Sequence, residues 1–299
     1  MHEIDRVIAA CRDIAARGAR GVLITVVRTE GSTYRRAGAR AVISATGEAV
    51  GAISGGCVER DLAERIKPWL GEMAPRIVRY DTTGDDDRIF GLGLGCRGVI
   101  DLLVEPFDGD HLPRLVTEFT WRGRETLEWT TPLPDGGLFV ELVRPQRRVI
   151  VFGGGADALP VIRAAEMIGW DAELVTARTC HPSEVASKLD LAGYDAAVVM
   201  THNFMQDVDI VRAVEASPIG YIGLLGPRSR GDELLEAAGV ERGPRHYSPA
   251  GLDLGSETPE EIGVSIIAEV QAVLLQRSGG LLRDAQRAIH ERPPVQTCA

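Results

Sequence analysis

The sequence predicts an α/β protein of two domains, the second of which is built on a doubly wound parallel sheet. A short, wholly apolar run at residues 149–152 is followed at once by a glycine-rich turn and a helical pattern, as in parallel strand-turn-helix units. Strand and helix patterns then alternate along the rest of the chain. The first half lacks this alternation, so residues 144–148 separate two predicted domains, 1–145 and 146–299.

Composition limits the classes of function. The 299 residues are 44% hydrophobic and 25% charged, which is typical of a globular protein with a sizeable core. A net charge of -10 argues against a nucleic-acid or anionic-membrane surface. The five cysteines are scattered without a C-x-x-C pair, so neither a disulfide framework nor a zinc site is predicted. No signal peptide or membrane-spanning run is recognisable, and we expect a cytoplasmic protein.

The first predicted domain begins with a helix and an antiparallel strand pair. Apolar residues recur at helical spacing from Ile4 to Ala15, which places Cys11 in the core. Strand-like runs at residues 22–27 and 39–43 then flank a polar turn. Four arginines accompany this turn: Arg28, Arg35, Arg36 and Arg40. They either hold a phosphate through charge-assisted hydrogen bonds or are solvated loop residues.

A cysteine behind two glycines is the first candidate functional residue. The stretch reads Gly51-Ala-Ile-Ser-Gly-Gly-Cys-Val-Glu-Arg60 and places Cys57 at the predicted start of a helix over residues 58–70. Glycines let the backbone approach a ligand closely, and a helix N-terminus stabilises a thiolate. This pattern favours a reactive or ligating thiolate. The alternative is a structural cysteine buried in a strand-turn-helix corner.

A second glycine-rich turn carries another cysteine. It reads Gly91-Leu-Gly-Leu-Gly-Cys-Arg-Gly98, with Cys96 between glycines and strand patterns at residues 76–80 and 99–104 around it. Two cysteines in two glycine-rich turns of one domain favour a shared site. The following region, residues 112–143, predicts a short helix and two strands that serve packing.

The second predicted domain opens with a phosphate-binding type of turn. Its sequence, Gly153-Gly-Gly155-Ala-Asp-Ala158, fits G-x-G-x-x-A between a strand and a helix, which indicates a Rossmann-like fold. Further strands are predicted at residues 172–175, 196–200 and 219–224, and helices at residues 183–190, 208–216 and 229–238. A capping box at Thr258 with proline at the first helical position starts the last helix.

Ordinary dinucleotide binding is disfavoured by two residues. The second strand of this domain ends Val175-Thr-Ala-Arg178, where an NAD-binding protein has an acid for the ribose hydroxyls. Arg178 suits a 2′-phosphate, but Asp157 places a carboxylate close to where a pyrophosphate would lie. An NAD(P)-dependent oxidoreductase or a dinucleotide-sensing protein therefore remains as the alternative hypothesis.

Several passages along both predicted domains resemble the XdhC/CoxI family, the accessory proteins of molybdenum hydroxylases such as xanthine dehydrogenase. The passages are Glu30-Gly-Ser-Thr with Gly38-Ala-Arg40, Gly51 to Glu59, Gly93-Leu-Gly-Cys-Arg-Gly98, Thr201-His202, Tyr221-Ile-Gly-Leu-Leu-Gly226 and Gly251 to Glu261. The resemblance implies a family-specific N-terminal α/β domain followed by a Rossmann-like C-terminal domain.

The resemblance implies a carrier rather than a turnover enzyme. Such a protein binds the molybdenum cofactor, as molybdopterin or its cytidine dinucleotide form, and protects it while a cysteine desulfurase supplies the terminal sulfido ligand. It then delivers the cofactor to the apo-form of a molybdenum hydroxylase. A homodimer is the default expectation.

The resemblance also implies two groups of site residues. Cys57 contacts molybdenum, either as a ligand or as a persulfide relay, in a site lined by Gly55, Gly56, Glu59, Cys96 and Arg97. The phosphate or nucleotide end of the cofactor lies at the glycine turn formed by Gly153, Gly154, Gly155 and Ala158. Family members often have glycine at the position of Arg97. For His202, a structural role at a strand end competes with metal binding.

Overall fold

Residues 3–82, 98–121 and 123–286 are described by a computed structural model, and the chain divides into two units, Met1–Gln146 and Arg147–Ala299. The helices of the first unit are α1 (Glu3–Ala16), α2 (Cys57–Glu72) and α3 (Arg114–Glu118). Its strands are β1 (Gly21–Gly31), β2 (Arg40–Ser44), β3 (Ala49–Gly51), β4 (Arg76–Asp81), β5 (Gly98–Phe107), β6 (Leu127–Pro132) and β7 (Leu138–Val143).

A five-stranded antiparallel sheet, in the order β3-β2-β1-β5-β4, forms the centre of the first unit. The predicted pairing of β1 with β2 is confirmed, with Val22 opposite Ile43. Alternate residues of β1 enter different cores, because side chains alternate across a strand. Ile24 packs with residues of α2, whereas Leu23 packs with residues of α1, including Cys11. The predicted core position of Cys11 is thereby confirmed.

One end of this sheet collects the glycine-rich segments. Gly31 at the end of β1 lies opposite Gly98 at the start of β5, and Gly51 at the end of β3 lies opposite Ala41. Because neighbouring strands are antiparallel, the turn after β1, the segment before α2 and the entry to β5 meet there. We call this the glycine end of the first sheet, defined by Gly31, Gly51 and Gly98.

The second unit continues with strands and helices in alternation. Its strands are β8 (Arg148–Gly153), β9 (Asp171–Val175), β10 (Ala196–Met200), β11 (Tyr221–Leu224) and β12 (His246–Tyr247). Its helices are α4 (Ala158–Met167), α5 (Val185–Lys188), α6 (Phe204–Glu215), α7 (Arg228–Ala238) and α8 (Pro259–Leu274).

The sheet of the second unit is parallel, in the order β12-β11-β10-β8-β9, and helices cover both faces. Ile150 and Phe152 share a core with α6, whereas Val149 and Val151 share one with α4 and α8. The predicted doubly wound fold is thus confirmed. The strand order reverses between β8 and β10, and ligands of such sheets bind at the carboxyl ends of the strands beside this point.

One local prediction was wrong, and one short strand was not predicted. The helix expected over residues 183–190 is a short 3-10 turn, Pro182–Glu184, followed by the four residues of α5, and Leu189 is already extended. Only Pro182 and Val185 bury side chains there, too few for an amphipathic helix face. The two-residue strand β12 was not predicted because it is too short to show a pattern.

The last helix agrees with the sequence. The capping box is formed between Thr258 and Glu261, and α8 begins at Pro259. No helix within the described ranges is long and apolar enough to cross a bilayer.

Candidate functional site

Cys57 is the first residue of α2, at the glycine end of the first sheet. Its side chain is partly buried. Because α2 begins at this residue, the predicted position at a helix start is confirmed. The preceding residue, Gly56, has φ 106° and supplies no side-chain cap. Among the described residues, no atom lies within 4 Å of a Cβ built at Gly55 or Gly56. The backbone on the N-terminal side of Cys57 is therefore open to a close ligand.

Ser54 and Glu59 hold the turn that precedes Cys57. Oε1 of Glu59 accepts hydrogen bonds from the backbone N–H groups of Ile53 and Ser54, both at 2.8 Å. The hydroxyl of Ser54 donates to Oε2 of Glu59 and accepts from the N–H groups of Gly56 at 3.0 Å and Val58 at 3.2 Å. One carboxylate and one hydroxyl thus fix both ends of the turn.

The network also sets the charge of Glu59. Burial on its own raises the pKa of this carboxyl, but hydrogen bonds from the Ser54 hydroxyl and from the N–H groups of Ser54 and Ile53 lower the pKa below its ordinary value. Glu59 is consequently ionised at neutral pH. Its negative charge is directed into the turn.

Gly98 packs against the turn that follows β1. A Cβ at this position would lie 2.5 Å from the carbonyl oxygen of Ser32 and 2.7 Å from that of Glu30, so only glycine fits. Thr82 fixes the same residue by accepting the N–H of Gly98 at 3.1 Å and donating to its carbonyl oxygen at 2.8 Å. Cys96 and Arg97, the other predicted members of this site, lie outside the described residues.

The arginines near the first turn are largely neutralised by carboxylates. Arg40 is 2% exposed and forms a bidentate pair with Glu141 of β7, so the interpretation as a solvated residue is wrong for it. Arg35 pairs with Glu3 of α1 at 2.7 Å, and Arg28 pairs with Glu30. The Arg40 pair attaches the β6-β7 hairpin to the sheet, and the Arg35 pair attaches the turn to α1.

The glycine turn of the second unit lies at the carboxyl end of β8. A Cβ at Gly153 would lie 3.0 Å from the Met200 carbonyl oxygen and 3.2 Å from the Ala158 Cβ, so this glycine allows close packing. Gly154 is exposed, and no atom of the described ranges lies within 4 Å of such a Cβ. The turn therefore keeps an open backbone surface at Gly154 in front of α4.

A histidine–carboxylate contact joins the ends of two strands at the point where the strand order reverses. Nε2 of His202, which follows β10, lies 2.8 Å from Oδ2 of Asp157, the residue before α4. His202 has a positive φ of 60°, a conformation uncommon for residues other than glycine. This contact gives His202 a partner at the strand end and places the Asp157 carboxylate beside the glycine turn.

A second polar cluster supports the end of β10. Asp207 of α6 is buried and accepts hydrogen bonds from the Thr201 hydroxyl at 2.6 Å and the Thr201 N–H at 3.2 Å. Arg230 of α7 pairs with the other oxygen of Asp207 at 2.7 Å. The segment that carries His202 is thereby fixed to two helices.

Each unit thus gathers one group of the predicted site residues. Gly55, Gly56, Cys57 and Glu59 share one turn of the first unit, and Gly153, Gly154, Gly155 and Ala158 share one turn of the second. Within the described part of the chain, no group of three or more His, Cys, Asp or Glu residues is arranged to hold a metal ion.

Sequence reasoning did not assign the roles of Ser54 or Asp207. For Ser54, the signal lay in a serine and a glutamate placed on either side of the helix start, as in a capping box interrupted by two glycines. For Asp207, contacts between three elements could not be read from spacing.

Comparisons with known proteins agree with this architecture. A model described as the XdhC and CoxI family matches residues 14–81, and one described as the XdhC Rossmann domain matches residues 149–270. The chain is similar to a solved structure from Bacillus halodurans described as a xanthine dehydrogenase, with a TM-score of 0.73 and 26% identity over 93% of this chain and 97% of the other.

Two curated relatives carry functional names. A Bacillus subtilis protein, named as a probable subunit of xanthine dehydrogenase, is 30% identical over 83% of this chain and 92% of the relative. The "Molybdenum cofactor insertion chaperone PaoD" of Escherichia coli is 24% identical, over 87% of this chain and 85% of the relative.

Proposed function

The chain belongs to the XdhC and CoxI family, and on this premise we propose that it binds the molybdenum cofactor and inserts it into a xanthine dehydrogenase-type molybdenum hydroxylase. The name of the relative PaoD supports the molybdenum cofactor as the bound molecule. The name of the Bacillus subtilis relative supports a xanthine dehydrogenase as the target of insertion. In this proposal the cofactor is cargo, and the chain carries out no turnover of its own.

The observation that carries the proposal is the exposed approach to Cys57. A partly buried thiol at the start of α2 stands beside two glycines whose surroundings are open, in a turn held by Ser54 and Glu59. A cysteine sulfur is a suitable ligand for a soft metal centre. Cys57 therefore contacts the metal centre of the cargo.

The glycine turn of the second unit, formed by Gly153, Gly154, Gly155 and Ala158, binds a phosphate or nucleotide group in this proposal. Gly154 is exposed in front of α4, and the positive end of the helix dipole favours an anion there. The carboxylate of Asp157 opposes this, and its contact with His202 moderates the repulsion. A cysteine desulfurase, which supplies the sulfido ligand, and the apo-hydroxylase are the proposed partners.

The cargo can be measured directly. The protein is purified without oxygen from a cell that makes the cofactor, and molybdenum is measured together with the fluorescence of the oxidised pterin. Both are expected on the wild-type protein. Absence of both, from cells whose own hydroxylases are active, would refute the proposal.

A further inference from the structure

The residue that caps helix α2 does not occupy its N-cap position. In a capping box, the N-cap side chain accepts an N–H from the first turn, and the third helical residue reaches back to the N-cap backbone. Here the N-cap residue is Gly56, and Ser54 accepts the N–H groups of Gly56 and Val58 instead. Glu59, the third helical residue, reaches back to Ile53 and Ser54. Two residues thus separate the capping side chain from the helix.

Because the capping side chain belongs to Ser54, the N-cap residue places no side chain beside Cys57. A serine at the N-cap would place its own side chain directly beside the first helical residue. With the cap moved to Ser54, Gly55 and Gly56 present only backbone on that side. The N–H of Cys57 also has no acceptor among the described residues, whereas the neighbouring N–H groups of Gly56 and Val58 are both accepted by Ser54.

The oxygens of Glu59 are fully engaged within the turn. Oε1 accepts two backbone N–H groups and Oε2 accepts the Ser54 hydroxyl. A carboxylate held in this way is a poor partner for an anionic cofactor. Its removal would free the N–H groups of Ile53 and Ser54 and the Ser54 hydroxyl, which itself accepts the N–H of Gly56.

We propose that Ser54 and Glu59 are positioning residues that hold Cys57 for contact with the cofactor, and that Glu59 does not itself contact it. This inference rests on the proposed function. Ser54 orients the start of the helix and Glu59 orients Ser54, so that, of these three residues, Cys57 is the one that contacts the cargo.

The first arm of the test uses cofactor-free protein. The rate at which iodoacetamide alkylates Cys57 is measured at one fixed pH near neutrality, with peptide mass spectrometry separating Cys57 from the other cysteines. Ser54→Ala is expected to slow alkylation about fivefold, because the turn that holds the thiol in its partly exposed position loses hydrogen bonds that contribute about 1 kcal/mol. Ser54→Thr, which keeps the hydroxyl, is expected to remain within about twofold of wild type. An equal or faster rate in Ser54→Ala, or no recovery in Ser54→Thr, overturns the inference.

A matched control separates positioning from general damage. Ser44 is also buried and its hydroxyl accepts a backbone N–H, that of Glu48 at 3.1 Å, but it ends β2 and lies away from the glycine end. Ser44→Ala is expected to leave the alkylation rate of Cys57 unchanged. A comparable slowing in Ser44→Ala would show that the effect is not local and would overturn the inference.

The second arm measures molybdenum on protein purified from a cofactor-producing cell. Ser54→Ala and Glu59→Gln are expected to lose most of the metal, and Ser54→Thr to keep it. If wild type carries molybdenum and Ser54→Ala carries as much, the positioning inference fails and the proposed function stands. If wild type carries none while the alkylation arm gives the expected rates, the proposed function fails, and with it the assigned purpose of the positioning.

Discussion

The imidazole of His202 lies 2.8 Å from the carboxylate of Asp157, and this contact joins the glycine turn after β8 to the end of β10. These strands are neighbours at the point where the strand order of the second sheet reverses. In a dinucleotide-binding protein of this fold, the pyrophosphate lies at that turn. Here the Asp157 carboxylate and the His202 imidazole lie beside the position that a pyrophosphate would take.

We predict that replacing this carboxylate improves the binding of a dinucleotide. Asp157→Asn should bind NADPH about fivefold more tightly than wild type, because a nearby like charge costs about 1 kcal/mol in solvent-exposed surroundings. The affinity is measured by nicotinamide fluorescence. Asp171→Asn is the control, because Asp171 begins β9 at the opposite end of the strands and should leave the affinity unchanged. Equal affinities for wild type and Asp157→Asn would contradict the prediction.

The close contact at Gly98 gives a prediction about stability. Gly98→Ala should lower the free energy of unfolding by about 1–3 kcal/mol, because its Cβ would overlap the carbonyl oxygens of Ser32 and Glu30. Gly55→Ala has open space around the new Cβ and should change stability by less than about 0.5 kcal/mol. Denaturation of both variants tests this. Similar losses in the two variants would show that the packing at Gly98 is not the cause.

The buried pair of Arg40 and Glu141 should be costly to break. Arg40→Met leaves Glu141 without its partner and should lower the free energy of unfolding of the first unit by about 3–5 kcal/mol. Three of the four tryptophans, at positions 69, 121 and 129, belong to this unit, so their fluorescence follows its unfolding.

The double variant Arg40→Met with Glu141→Leu should recover much of that loss, because neither member of the pair then remains as an unpaired buried charge. If the double variant were less stable than Arg40→Met alone, the pair would not be the source of the loss.

Glu105 should make stability depend on pH. Burial raises its pKa to about 7, against a partial lowering by Arg40. In the unfolded chain this carboxyl ionises near its ordinary value of 4.5, so the folded protein holds the extra proton between these values. The contribution of Glu105 to stability therefore falls as the pH rises through this window.

Replacing Glu105 should remove this dependence. The stability gained by Glu105→Gln should be about 2 kcal/mol larger at pH ~8 than at pH ~5. Urea denaturation at the two pH values gives the difference. Glu128 is exposed on β6, and Glu128→Gln serves as the control with no such difference. A gain for Glu105→Gln that is independent of pH would contradict the assigned cause.

Much of the fold follows from periodicity in the sequence. The strand at Ala196–Met200 and the capping box at Thr258 agree with their patterns, because burial on both faces and a helix start leave local signals. The wrong helix prediction over residues 183–190 also has a physical cause. The segment around α5 is too short for a period to show, and its proline and extended Leu189 limit the helix.

The candidate site was predictable only in part. The position of Cys57 at a helix start followed from two glycines before an amphipathic pattern. The pairing of Asp157 with His202 depends on β8 and β10 being neighbours, which strand order decides and local sequence does not. The burial of Arg40 likewise depends on a partner 101 residues away.

The most direct measurement is the molybdenum content of Cys57→Ser, purified without oxygen beside wild type and Cys180→Ser. Cys180 is a buried cysteine of the second unit and controls for the loss of a thiol. We predict that Cys57→Ser folds normally but carries only background molybdenum and fails to activate a target hydroxylase, whereas Cys180→Ser retains both properties. A Cys57→Ser protein with wild-type molybdenum content and wild-type activation would contradict the role of Cys57 as the contact to the cofactor.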